Sequence, residues 1–186
     1  KKYGEAMDEY EKALAKAPSL RKEQALIGYD EEATVYTKQL IEEYRLDEAM
    51  EIIEQWLTVY PESELGVRYA INLSLQMKDH DKAARFALQG LEFHPNDLMF
   101  QVKLAEAYSL QDDHARVLEM LEQELIKYPY HNDLIKVYSQ SSENYARLLL
   151  NDSKSEDGLL VLDKALKYDT ENRALKYWKG VAFEKL

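Results

Sequence analysis

Histidine and aspartate occur together at two places in the chain, and these side chains are common ligands of metal ions. His80 lies beside Asp81, and Asp112, Asp113 and His114 are consecutive. A zinc site needs three or more converging ligands. Both places lie between segments of helical apolar periodicity, and aspartate is a preferred residue for capping the start of a helix. We therefore interpret both places as capping turns and predict no metal site.

No sequence pattern of an enzyme is present. The chain has no H-E-x-x-H, G-x-x-x-x-G-K-[ST] or G-x-S-x-G pattern and no calcium-binding loop. Carboxylate pairs such as Glu42 and Glu43 are common on helix surfaces and do not indicate a glycosidase. The chain has no cysteine, so thiol chemistry and disulfides are excluded. We predict that the chain is not an enzyme and holds no catalytic residue and no cofactor.

The composition favours a helical protein that binds neither nucleic acid nor lipid. Of the 186 residues, 46% are apolar and 32% are charged, with only 6 Gly and 4 Pro, as in helix-rich globular chains. The net charge is -11, whereas binding to phosphate backbones or anionic lipids depends on lysine and arginine. No run of 18 apolar residues exists, so we predict no direct membrane insertion.

Three prolines mark a fixed period in the chain. Pro61, Pro95 and Pro129 are each 34 residues apart, and each follows a tyrosine or a histidine. A period between 20 and 50 residues is the signature of a structural repeat. The chain is therefore predicted to consist of repeated units.

Small and large apolar residues recur at helical spacing before each proline. The pattern is a small residue, a large one four positions later, a small one three later and a proline five later, as in Ala6, Tyr10, Ala13 and Pro18. Four further stretches follow it less strictly: Ala49, Ile53, Trp56 and Pro61; Ala83, Ala87, Gly90 and Pro95; Val117, Leu121, Glu124 and Pro129; and Gly158, Leu162, Ala165 and Thr170. A complementary pattern alternates with these stretches: Ala70-Ile71 with Ser74, Leu104-Ala105 with Tyr108, Tyr145-Ala146 with Leu149, and Gly180 with Phe183.

These patterns cover essentially the whole chain and resemble the tetratricopeptide repeat, a helix-turn-helix unit of about 34 residues with a closing proline. The resemblance implies an all-α fold, a right-handed superhelical solenoid of antiparallel helix pairs with about ten helices. Residues 1–186 would form a single array, divided into a half-repeat at 1–18, repeats at 19–61, 62–95, 96–129 and 130–169, and a half-repeat at 170–186. We expect a fragment of a longer array, because arrays normally finish with polar-faced capping elements.

Two intervals are longer than the period. Pro18 and Pro61 are 43 residues apart, which is 34 plus 9. The nine extra residues could lengthen the first helix by about two and a half turns or form a loop at Gly28–Asp30, and we favour the longer helix. Pro129 and Thr170 are 41 residues apart, which predicts a second lengthened helix from Asn132 to about Leu150 and a polar turn at 151–155. The predicted helix starts are Ser19, Asp47, Ser63, Asn96 or Asp97, and Thr170 or Asn172.

The resemblance implies a protein-interaction module or scaffold that binds a partner protein or peptide along its concave face, which the first helices line. Carried onto this chain, the groove residues are Lys38, Arg68, Asn72, Leu75, Met99, Val102, Glu106, Leu110, Arg147 and Tyr177. Arg68 with Asn72 is similar to the pair that holds a terminal carboxylate in tetratricopeptide co-chaperones. The other residues of that carboxylate-binding clamp are not matched, because Lys103 stands where the resemblance implies an Asn, and Gln140 and Asn144 stand where it implies two basic residues. We therefore do not expect a receptor for the C-terminal tail of a chaperone.

We predict instead a short peptide with apolar middle residues and an acidic group near one or both ends. In the alternative, Arg68 and Arg147 pair with nearby glutamates and no peptide binds. The chain would then be a rigid spacer or a regulatory segment of a larger protein, such as a cell-envelope or an enzyme-fused one. The terminal helices carry Ala6, Tyr10, Trp178, Val181 and Phe183, which predicts end-to-end self-association.

Overall fold

The chain is all-α. The computed structural model describes residues 2–16 and 19–186, which contain ten helices and no strand. The helices are α1 Lys2–Lys16, α2 Ser19–Glu42, α3 Leu46–Val59, α4 Glu64–Gln76, α5 His80–Phe93, α6 Leu98–Leu110, α7 His114–Lys127, α8 Asn132–Asn151, α9 Ser155–Leu166 and α10 Arg173–Glu184. The predicted helix stop at Pro18 lies outside the described residues, and so does the side chain of the predicted cap Ser19. Within the described ranges, no helix has the length and apolar character needed to cross a membrane.

The chain divides into two compact units, Lys1–Phe100 and Gln101–Leu186. Helices α1 to α5 belong to the first unit, α7 to α10 belong to the second, and α6 begins in one and ends in the other. Each unit is built from helices that pack on their neighbours in chain order.

The turn from each first helix to its second helix has the same geometry. One residue of the turn adopts a left-handed conformation with φ near 60°, and the next amide N–H donates to the carbonyl five residues earlier. This is the Schellman arrangement, which ends a helix and reverses the chain. The left-handed residues in the described part of the chain are Tyr44, Lys78, Asp112 and Ser153, spaced by 34, 34 and 41 residues.

The turns that lead from the second helices α3, α5, α7 and α9 to the next first helix also share one geometry. In each, the carbonyl of the first residue accepts the amide N–H three residues later, at 3.1 to 3.2 Å, for the pairs Tyr60–Ser63, His94–Asp97, Tyr128–His131 and Asp169–Asn172. The second position of the first three turns is the periodic proline, whose fixed φ suits it. The fourth residue then caps the following helix with its side chain.

Most predicted helix starts agree with the structure. The Oγ of Ser63 accepts the amide of Gly66 at 2.9 Å, and Oδ1 of Asp97 accepts the amide of Met99 at 2.8 Å. Asn172 caps α10, which confirms this choice over Thr170. The predicted start at Asp47 is wrong by one residue, because α3 begins at Leu46, directly after the Schellman turn.

Both predictions of lengthened first helices are confirmed. Helix α2 runs for 24 residues without a break at Gly28, and α8 runs for 20 residues. Gly28 is needed for close packing, because a Cβ added there would lie 2.7 Å from the ring of Tyr10 on α1. Glycine at this position thus allows close helix packing and does not mark a loop.

Within each unit, consecutive helices pack closely against one another. A Cβ added at Gly158, near the start of α9, would lie 3.3 Å from Leu150 at the end of α8. The same relation holds between Gly66 at the start of α4 and Leu57 near the end of α3, at 2.9 Å. Together with the recurrent turns, this packing confirms the predicted all-α class built from helix pairs.

The first stability prediction concerns Ala83 on α5, a small residue with no exposed surface. Ala83→Leu adds three carbon atoms to a closed helix contact and should lower the free energy of unfolding by about 1–3 kcal/mol. Urea denaturation measures the change. Arg85→Leu, at an exposed position two residues away, is the control and should stay close to wild type. Equal stabilities of the two variants would refute the packing role of Ala83.

The second stability prediction concerns the left-handed residue Lys78. A left-handed backbone costs an ordinary residue roughly 1–2 kcal/mol, and glycine avoids that cost but loses more freedom on folding. Lys78→Gly should therefore raise the free energy of unfolding by about 0.5–1 kcal/mol. Gln76→Gly, inside the last turn of α4, should lower it by a similar amount. If thermal melts show that both variants are stabilised or that both are destabilised, the left-handed conformation of Lys78 would be contradicted.

Candidate functional site

The predicted groove residues divide between the two units. Lys38, Arg68, Asn72, Leu75 and Met99 lie in the first unit, on α2, α4 and α6. Val102, Glu106, Leu110, Arg147 and Tyr177 lie in the second, on α6, α8 and α10.

In the first unit, Arg68 is ion-paired, as the alternative interpretation expects. Its Nη2 lies 2.7 Å from Oε1 of Glu64, one turn earlier on α4, and 3.7 Å from Oδ2 of Asp97. The Nε of Arg68 is buried and has no hydrogen-bond partner among the described residues. Much of the arginine charge is thus compensated before any ligand arrives. Of the other predicted residues of this unit, Lys38 and Asn72 are exposed, whereas Leu75 and Met99 are half-buried.

In the second unit, Arg147 has a different environment. Its guanidinium carbon lies 5.2 Å from the ring centroid of Trp178, so that the cation stacks on the indole face. Trp178 donates from Nε1 to Oε1 of Glu143 at 3.2 Å. No ion pair of Arg147 is seen among the residues that the structure describes. Beside it on α10, Tyr177 is 65% exposed and makes an edge contact with Trp178.

Two of the predicted residues, Glu106 and Leu110, line a cleft between α6 and α8. Ser109 of α6 and Lys136, Val137 and Gln140 of α8 complete its walls, and the cleft encloses about 230 Å³. We call it the α6–α8 cleft. Its lining is mainly apolar, and the side chain of Leu110 is 53% exposed. Val102 is not among the residues that line this cleft, and its side chain belongs to the core with 6% of its surface exposed.

The charge of the α6–α8 cleft is positive although the chain as a whole is acidic. The Nζ of Lys103 lies 2.8 Å from Oε2 of Glu106, which compensates that carboxylate. Lys136 is exposed, and no ion pair or hydrogen bond of its ammonium is found in the described part of the chain. Lys136 therefore supplies the uncompensated charge of the cleft.

A second cleft lies on the other side of Lys136. We call it the α8–α10 cleft, because its second wall is the turn that leads into α10. The cleft encloses about 270 Å³ and is lined by Asn132, Ile135, Lys136, Ser139, Gln140 and Glu143 of α8 and by Asp169 and Asn172 of that turn. Ser139 is only 3% exposed, and its hydroxyl has no hydrogen-bond partner among the described residues. Lys136 and Gln140 line both clefts, so they form the ridge between them.

Sequence reasoning missed Lys136 and Ser139. The helical spacing back from Arg147 on α8, in steps of three or four residues, leads through Glu143 and Gln140 to Lys136 and was the available signal. Gln140 was noticed only as a departure from the carboxylate clamp. That Ser139 is buried without a partner depends on packing and has no signal in the sequence.

Both histidine–aspartate places lie at helix starts, but only the second contains its capping residue, Asp113. His80 and Asp81 are the first two residues of α5, and the residue that caps this helix is Asp79. Oδ1 of Asp79 accepts the amide of Lys82 at the start of α5, at 2.9 Å. Oδ1 of Asp113 accepts the amide of Arg116 at the start of α7, at 3.4 Å. In the described ranges no three His, Asp or Glu side chains converge in a way that suits a metal ion.

His114 is buried at the first position of α7, with 3% of its surface exposed. Its Nδ1 lies 3.5 Å from Oγ of Ser109, and its Nε2 lies 3.6 Å from Oδ1 of Asp112. Burial lowers the pKa of the imidazole, and the nearby carboxylates of Asp112 and Asp113 oppose this only in part. The neutral ring is therefore the form that suits the folded chain.

Comparison with known proteins gives a structural likeness only. No protein-family model matches the chain, and a search of curated proteins finds no match. Among solved structures, a tetratricopeptide repeat protein from Parabacteroides merdae is similar, with 17% sequence identity and a TM-score of 0.46. The match covers 98% of this chain and 78% of the other.

The lowered pKa of His114 predicts a pH-dependent stability. Because the unfolded chain binds this proton more readily, the free energy of unfolding should fall as the pH decreases below the ordinary imidazole pKa of 6.5. Thermal melts at pH 8 and pH 5.5 measure the loss. His114→Gln, which cannot titrate, should show a smaller difference between the two pH values than wild type. An unchanged difference in the variant would mean that other groups cause the acid sensitivity.

Proposed function

We propose that the chain is a protein-interaction module that binds a partner segment on the exposed surface of its first helices and catalyses no reaction. The observation that carries this proposal is the α6–α8 cleft. It combines an accessible apolar lining with a cation that has no partner in the described part of the chain. Apolar surface with a few placed polar groups is the usual composition of a binding site.

The scaffold around the cleft supports binding because packing and hydrogen bonds hold its walls together. Val137 packs into the core with 7% exposure, and the hydroxyl of Ser141 donates to that of Ser109 at 3.0 Å across the two helices. Helix ends on both sides are fixed by the recurrent turns. A site on helices that do not need to reorder loses little conformational entropy when a ligand binds.

The remaining groove residues would contribute unequally. Arg147 and Tyr177 are accessible in the second unit and present a cation and an aromatic ring to a ligand. In the first unit, Lys38, Asn72, Leu75 and Met99 offer accessible surface, but Arg68 would have to exchange Glu64 for a ligand carboxylate. We propose that Arg147 contributes more to binding than Arg68.

Charge reversal at the two arginines tests the proposal. Arg147→Glu should reduce recovery of bound partner in affinity capture by about fivefold, since an exposed charge pair is worth up to about 1 kcal/mol. Arg68→Glu should have a smaller effect, and the double variant should bind least.

Arg85→Glu, the same change on an exposed residue of the second helix α5, is the control and should bind as wild type does. If the double variant keeps all its partners at wild-type levels, the binding surface lies elsewhere. The spacer interpretation would then be favoured.

Self-association is a second candidate function, favoured by the outer face of α10. Phe183 is 57% exposed, and a Cβ added at Gly180 would meet no atom within 4 Å. The residues at the same repeat positions of α8, Ala146 and Leu149, are 0% and 7% exposed. We propose that a second copy of the chain covers this face of α10.

Sedimentation equilibrium tests self-association. The apparent mass of the wild-type chain should rise with concentration, and Phe183→Glu should abolish the rise because it places a charge in the apolar contact. Leu160→Glu changes an equally exposed leucine on α9 and should leave the rise intact. A strictly monomeric wild-type chain at high concentration would exclude this candidate.

A further inference from the structure

The ridge on α8 suggests what kind of segment the second unit selects. Lys136 and Gln140 are four residues apart, so they lie on one side of the helix, with the α6–α8 cleft before them and the α8–α10 cleft behind. A segment that fills the first cleft and continues over the ridge enters the second. The two clefts are therefore neighbouring subsites for one extended segment.

The α6–α8 cleft suits an apolar side chain next to a carboxylate. Leu110 and Val137 supply apolar contact, and the ammonium of Lys136 lies at the edge of the same cleft of about 230 Å³. The only carboxylate in its lining, Glu106, is compensated by Lys103. Side chains two residues apart in an extended segment point the same way and are about 7 Å apart. One can therefore enter the cleft while the other meets Lys136.

The α8–α10 cleft suits a hydrogen-bond donor rather than a second carboxylate. Glu143 and Asp169 both lie in its lining, and each already accepts one hydrogen bond, from Trp178 and Asn172. Their charges repel an acidic group but leave further lone pairs for donors. The unpartnered hydroxyl of Ser139 adds another group that a backbone amide or carbonyl can satisfy.

We propose that the second unit selects an extended protein segment in which an apolar side chain is followed two residues later by aspartate or glutamate. The inference rests on the proposed function and names its ligand class. The apolar side chain fills the α6–α8 cleft, the carboxylate pairs with Lys136, and the following backbone crosses into the α8–α10 cleft. Because the segment continues past Lys136, the acidic group is an internal side chain and not the chain terminus.

Selection from a random octapeptide display library tests the inference with the whole 186-residue chain as bait. The library is displayed in two forms, one with the octapeptide between fixed flanks and one with a free carboxyl end. Wild type should enrich apolar-x-acidic sequences from the flanked form. The Lys136→Glu variant should select basic residues where wild type selects acidic ones. It should also bind the wild-type consensus peptide at least fivefold more weakly than wild type does. Lys167→Glu, an exposed lysine at the end of α9, should change neither result.

The outcomes separate the two proposals. Enriched peptides without an acidic preference, or with one that Lys136→Glu does not change, would overturn the ligand class. Enrichment only from the free-carboxyl form would overturn it as well, in favour of a terminal carboxylate. The proposed function survives both results if Leu110→Asp abolishes binding. It fails, together with the inference, if wild type enriches no peptide or if enriched peptides bind Leu110→Asp equally well.

Discussion

The packing of each unit depends on reversing the chain through a single left-handed residue. A helix ends where its last carbonyls find new donors, and the Schellman bonds at Tyr44, Lys78, Asp112 and Ser153 supply those donors within the turn itself. The turn is so short that the second helix must return along the first. The turn alone therefore brings the apolar faces of the two helices into contact.

Close approach of neighbouring helices determines which residues can occupy the contact between them. Beside Gly90 on α5 lies the ring of Phe100, and an added Cβ would be 2.5 Å from it. Ala83 and Ala87 on the same helix have no exposed surface. This face of α5 is therefore built from small residues at positions 83, 87 and 90, and at Gly90 the large ring of the next helix occupies the space. The repeated pattern of small and large residues records this arrangement.

Helix bounds and pairing could be predicted from the sequence because their causes are local. A proline at the second position of a turn and a capping side chain at the fourth act over a few residues, as at Pro61 and Ser63. The lengths of α2 and α8 followed from the intervals between such turns. The start of α3 was displaced by one residue because the Schellman bond at Arg45, which has no sequence signal, determines it.

The candidate site could be predicted only in part, since its charges depend on contacts between distant residues. Glu64 and Arg68 are four residues apart on α4, and so are Glu143 and Arg147 on α8. The first two form an ion pair, whereas Trp178, 35 residues further along, takes Glu143 as a hydrogen-bond acceptor and places its ring under Arg147. Sequence spacing treats the two arginines alike, but the neighbouring first helix decides which of them is available.

The uncompensated cations matter more because the chain carries a net charge of -11. At physiological salt the Debye length is about 8 Å, so repulsion between the acidic surface and an acidic ligand acts mainly at shorter distances and weakens as salt is added. In the proposed complex, the ligand carboxylate would meet Lys136 and a compensated Glu106 inside the α6–α8 cleft, where attraction would replace the repulsion. The acidic surface would therefore disfavour acidic segments in general, and the cleft would favour those whose carboxylate lies beside a fitting apolar side chain. Selectivity in this arrangement comes from the contact and not from the overall field.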